Sequence, residues 1–185
     1  MDSSLNWLQN TSVAIHIRDS LLLFPLLEST HVIGLAIVVG TVVIIDLRLL
    51  GLATTHRAFS RLGADTLPWT LCGFAVAAVT GALMFTTNAT VYFHNTWFRA
   101  KVLMLGLAAL NAIVFEMTAR RTLGDWDLRR STPPMARTVA AISLVIWVGV
   151  IVAGRMIGFT ATRASINQTT PAQEPNFEDL LGLPK

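Results

Sequence analysis

Four long stretches of the chain run almost free of charged side chains: about Leu26 to Leu47, Pro68 to Thr87, Phe98 to Thr118 and Thr138 to Thr160. At ~1.5 Å of rise per helical residue each is long enough to cross ~30 Å of hydrocarbon. Backbone polar groups in lipid must be paired within the protein, which leaves helices or a closed barrel. None of the stretches shows the two-residue alternation of a barrel strand, so helices are expected. The fold class predicted is all-α, an integral membrane four-helix bundle. Ahead of it, residues 1–20 mix Leu5, Trp7, Leu8, Val13, Ile15 and Ile17 with Asn, Gln and Ser, the pattern of a short helix lying in the membrane interface. This segment lacks a basic leader and a small-residue cleavage site, and is expected to be retained. After the four-helix domain of residues 21–162, residues 163–185 carry Pro171, Pro175 and Pro184 among polar side chains and are expected to form a mobile tail.

Composition removes the water-soluble alternative. Of the residues, 53% are apolar and only 14% charged, with a mean hydropathy of +0.58. The sequence pI of about 9.8 does not signal a nucleic-acid partner, because the net charge is only +3 and no basic face or base-stacking motif accompanies it. The basic residues are distributed by loop. Arg48, Arg57 and Arg61 lie between spans 1 and 2, and Arg120, Arg121, Arg129, Arg130 and Arg137 between spans 3 and 4. Cationic loops stay in the cytoplasm, so both termini are expected on the opposite side. Cys72 is alone, which excludes a disulfide within the chain. No hydrolase, Walker, C-x-x-C or dinucleotide fingerprint is present.

The informative residues are ionisable ones inside or beside the spans, where charge is costly and normally turned toward the bundle interior. In this orientation Glu28, His31, His94, Arg99, Lys101 and Arg155 all fall toward the outer side. Glu28, His31, Leu35, Val42 and Asp46 share one stripe about 60° wide on span 1. Span 2 has a stripe through Trp69, Gly73, Thr80, Met84 and Thr87, and span 4 one through Trp147, Ile151, Gly154, Arg155 and Gly158. Gly154 and Gly158 form a G-x-x-x-G pair expected to serve close helix packing. His31 reads either as a hydrogen-bonded histidine joining helices or as a metal ligand, with haem b the centre best matched to a four-helix membrane core and His94 a candidate second ligand. Arg99 and Lys101 lie about 200° apart on a helix, so they cannot both point into one pocket. Arg99, Lys101 and Arg155 are expected to hold an anionic group at the outer mouth of the bundle, haem propionates or a quinol-side carboxylate. Arg155, on the same stripe as Trp147, is the better candidate, with Glu28 as its partner when no ligand is bound. Asp46 with Arg48, and Glu116 with Arg120, read as cytoplasmic-end anchors and ion pairs. Copper is the alternative metal, through His31, Glu28 and methionines 84, 104 and 156.

The runs Glu28-Ser29-Thr30-His31-Val32, Asp46-Leu47-Arg48-Leu49-Leu50-Gly51, Pro68-Trp69, Gly81-Ala82-Leu83-Met84-Phe85, Phe98-Arg99-Ala100-Lys101, Asn111-Ala112 and Gly154-Arg155 resemble an uncharacterised bacterial family of four-span membrane proteins, a domain of unknown function. The resemblance covers roughly residues 20 to 160 and implies a bacterial inner-membrane location, with both termini then periplasmic. The start of span 3 is more distantly similar to copper-resistance D-type and cytochrome b-like membrane bundles. A second intramembrane histidine at the inner end of span 3 would strengthen a two-helix haem site, and Glu116 occupies that place, a departure from the cytochrome likeness. The function expected is a non-catalytic inner-membrane subunit that binds haem b near the outer face and passes electrons between a periplasmic redox protein and quinone. The alternatives are copper handling, small-ion permeation, or a membrane anchor within a homo- or hetero-oligomer.

Overall fold

The computed structural model describes residues 2–53, 56–118, 121, 123–127 and 132–169, with side chains followed to residue 160 apart from that of residue 125. The elements in order are α1 (Asp2–Gln9), α2 (Ser12–Asp19), α3 (Leu23–Leu50), α4 (Phe59–Thr87), α5 (Ala89–His94), α6 (Thr96–Thr118), α7 (Leu123–Trp126) and α8 (Pro134–Thr169). Among the described residues four helices are long and apolar enough to cross a membrane: α3, α4, α6 and α8. The protein is an all-α multi-pass membrane bundle.

The helices outrun the apolar stretches that announce them. The 28 residues of α3 reach about 42 Å, more than the hydrocarbon needs, so its charged ends extend beyond the span. Gly51 closes α3 in the left-handed region at φ 79°, its N–H meeting the carbonyls of Leu47 and Arg48, while Leu52 N–H reaches Leu47 O at 2.9 Å. At the same end α4 starts without a side-chain cap of its own. Its first amides are satisfied from a distant segment instead: Phe59 N–H donates to Asp127 O at 3.3 Å and Ser60 N–H to Asp127 Oδ1 at 2.8 Å. At the other end Asn95 caps α6, accepting from Trp97 N–H at 2.9 Å, and its amide donates to Thr160 Oγ1 of α8 at 2.8 Å.

Ahead of the spans the chain forms two short helices, Asp2–Gln9 and Ser12–Asp19, rather than one. Thr11 closes the turn after the first and caps the second, accepting from Ala14 N–H at 3.4 Å. Both lie on the bundle: Thr90 Oγ1 donates to Gln9 Oε1 at 2.7 Å and the Arg18 guanidinium reaches Thr87 O at 3.5 Å. Trp7 remains 72% exposed, as an interfacial segment requires. In the C-terminal tail, α8 continues as helix through Thr169, and residues 170–185 of the expected mobile segment lie outside the described residues.

Packing is uneven around the bundle. α3 runs along α4, and α8 packs against both α3 and α6. The α3 and α4 backbones come together at Gly34 and Gly73, where a β-carbon on Gly73 would meet Gly34 O at 2.9 Å. This pair, not Gly154 and Gly158, makes the close helix crossing; Gly158 has nothing within 4 Å of where its β-carbon would be. Helix α6 has no fully buried residue and its backbone does not run along α4. Two aromatic groups bridge that gap: Phe85 stacks on Phe98 at 5.2 Å toward the α5 end, and Phe59 meets Phe115 at 5.5 Å and Trp126 at 5.4 Å toward the α7 end.

Candidate functional site

Three polar side chains from three spans meet in the half of the bundle nearer α5. His31 of α3 places Nδ1 3.1 Å from Thr80 Oγ1 of α4, and its Nε2 lies 3.4 Å from the Nζ of Lys101 on α6. The Thr80 hydroxyl donates to Val76 O at 2.6 Å, so its oxygen is left to accept. Nδ1 of His31 therefore carries the proton, and the Nε2 lone pair faces the lysine ammonium. Glycines make the room. A β-carbon on Gly81 would come within 2.9 Å of His31 Cε1, so the imidazole is seated against bare α4 backbone. On α8, Gly154 faces the end of the Lys101 side chain, with Nζ 3.7 Å from its β-carbon position.

The expected site residues do not all gather here. Lys101 turns inward and Arg99, on the other side of α6, is exposed. Arg155, expected as the better anion holder, is exposed as well, its guanidinium 4.8 Å from the centre of the Phe159 ring. The buried line of α8 passes through Val139, Ser143, Val150 and Ala153, and two residues past Ala153 is about 200° around the helix. Glu28 is also exposed, so it is no partner for Arg155; it acts on Tyr92 of α5, whose phenol is pushed up by burial and by this nearby carboxylate. His94 is bound on its own turn, Nδ1 donating to Thr90 O at 2.9 Å, and its Nε2 lies 3.8 Å from Asp2 Oδ1 at the surface. Trp147 is half-buried and takes no part in the polar contacts around His31. Thr80 is the member that helical phase placed on the right stripe without revealing its role, and the signal was a hydroxyl directly before the glycine that admits the imidazole.

Residues 21–160 match the model of a family described as Family of unknown function (DUF6644). The chain belongs to this family. Neither the curated proteins nor the solved structures contain a match to it. The matched DUF6644 region holds all of the His31 cluster.

The opposite end of the DUF6644 bundle holds a second polar group. Arg48 is fully buried, with Nε donating to Arg57 O at 3.1 Å and Nη2 to Asp127 O at 3.3 Å. The expected anchor is thus a clasp on loop carbonyls. Asp46 is buried between α3 and α8, hydrogen-bonded by Ser143. Glu116 is exposed, and its expected partner Arg120 lies outside the described residues.

Proposed function

We propose that this protein is a bacterial inner-membrane subunit that holds haem b near the periplasmic face through His31 and passes electrons between a periplasmic partner and quinone. The observation that carries the reading is the fixed imidazole. With Nδ1–H spent on Thr80, Nε2 is the nitrogen that would hold haem iron, the tautomer a metal-binding histidine needs. Gly81 holds the ring edge so that its direction is set by α4 rather than by the ligand. Bound haem b supplies a one-electron couple inside the membrane. For it to bind, Lys101 must swing off the Nε2 lone pair. His94 is engaged at the surface by Thr90 and Asp2, so His31 is the ligand on which the reading rests. Copper handling has less in its favour: Met104 packs on Gly149, and among the described residues no three His, Cys, Asp or Glu side chains gather.

The test is the absorption spectrum of the purified protein from haem-replete cells. A Soret band with redox-sensitive visible bands is expected, lost in His31→Ala and unchanged in His94→Ala. Full haem retention by His31→Ala would remove the ligand role, and a colourless wild-type protein would remove the haem reading.

A further inference from the structure

We propose that Lys101 is a carboxylate-binding residue, which takes the acid group of an amphiphilic ligand entering from the outer leaflet between α4 and α6. Its direction is the first reason. Lys101 lies within the first two turns of α6, close enough to the membrane interface for its four-carbon stem to snorkel to the headgroups. It turns inward instead, to the level of His31.

Valence is the second reason. An ammonium has three N–H donors. One meets His31 Nε2, and among the described residues the other two have no protein acceptor. Charge is the third. The imidazole it touches is neutral in the tautomer that Thr80 imposes, and no carboxylate pairs with Lys101 among the described residues; the ion pairs present are Arg18 with Asp19 and His94 with Asp2. A cation set among helices in a membrane without a counter-charge is costly, and an incoming anion offsets that cost and fills the two empty donors.

Access fits the same ligand. α6 leans on α8 more than on α4, and aromatic contacts near the helix ends join it to α4. Phe98, one turn from Lys101 toward the α5 end, and Phe85 form an apolar roof under which an apolar body can lie with its acid group on Nζ. Two sources supply such an acid, a haem propionate and a lipid-borne fatty acid, since both present a carboxylate on an apolar frame. The first source rests on the haem reading above and the second does not.

Full-length protein in detergent would be titrated with metal-free protoporphyrin IX and with its dimethyl ester, and separately with oleate and methyl oleate. Without iron, His31 ligation contributes nothing to the porphyrin titration. At least one acid is expected to bind about tenfold more tightly than its ester. That preference should vanish in Lys101→Met, persist in part in Lys101→Arg, and survive in Arg99→Gln and Arg155→Gln. Lys101→Met keeps the stem and removes a charge from the core, so circular dichroism should show the fold retained. A preference confined to the porphyrin assigns the carboxylate to haem, and one confined to oleate assigns it to lipid. Equal binding of acids and esters, or an acid preference retained in Lys101→Met, overturns the proposal. A protein without any haem spectrum that still prefers oleate over its ester defeats the haem reading and leaves this one standing.

Discussion

At the residue scale the two glycines beside the site make opposite predictions. A methyl group on Gly81 would sit 2.9 Å from His31 Cε1, and the ring is held on its other side by Lys101, so Gly81→Ala must tilt the imidazole off Thr80. A methyl on Gly154 would meet Lys101 Nζ at 3.7 Å, an ordinary contact. Gly81→Ala should therefore weaken ligand binding at His31 at least tenfold, and Gly154→Ala should leave it within about twofold, a comparison read from parallel haem titrations. Equal effects would mean that Gly81 does not set the ring. The inward placement of His31 was legible in the sequence, because an ionisable group is costly in an apolar span and turns to the interior, where it meets partners. The choice of Lys101 over Arg155 was not. Helical phase orders residues around one axis, but the direction of the interior depends on which neighbour each helix leans on. α8 leans on α3 and α6 through Val139, Ser143, Val150 and Ala153, and that turns Arg155 outward.

At the element scale, α3 and α4 owe their close approach to two hydrogens. A β-carbon on Gly34 would lie 3.0 Å from Gly73 O and from Ala77 N, both backbone atoms that cannot rotate away. Gly73→Ala should push the helices apart and cost about 1–3 kcal/mol, measured by thermal unfolding in detergent, whereas Gly40→Ala, with nothing within 4 Å, should cost almost nothing. The G-x-x-x-G spacing pointed to the wrong glycines because spacing marks a smooth surface without saying what touches it. The start of α4 offers a second element-scale prediction, in acid. Burial pushes the Asp127 carboxyl up, but the hydrogen bonds from Ser60 and Phe59 and the Arg48 charge together outweigh it and hold the carboxyl below the usual carboxylate range. A depressed native pKa contributes stability that is complete above the unfolded value of about 3.9 and is lost as pH falls through the native one. The junction of α7 with α4 should accordingly hold at neutral pH and loosen only below about pH 4, seen as faster hydrogen exchange at Phe59 and Ser60. Asp127→Ala, which removes the acceptor that an Asn amide would keep, should show the fast exchange of Ser60 already at neutral pH, and protection unchanged in that variant would mean the side chain is not what caps α4. This long-range cap was invisible in the sequence, since Asp127 and Ser60 are joined only when α7 folds back.

At the scale of the whole molecule, four antiparallel spans bring the starts of α3 and α6 and the ends of α4 and α8 to one side, where α1, α2 and α5 also lie. That pairing of ends was readable from four apolar stretches alone, because an even number of crossings returns the chain to its starting side. The proposed orientation rests on charge. Arg57, Arg61, Arg121 and Arg137 lie toward the α7 end, and a membrane holds such cationic loops in the cytoplasm. This orientation puts His31 and Lys101 in the outer half, within reach of a periplasmic donor, and gives Arg48 and Asp127 the cytoplasmic loops to fasten. In a Cys72→Ser background, Ser3→Cys should react with an impermeant maleimide in intact cells, while Leu52→Cys, 73% exposed in the opposite loop, should react only after the membrane is opened. The reverse pattern would carry the His31 cluster to the cytoplasmic leaflet, where the proposed acid ligand and electron partner would have to be sought instead.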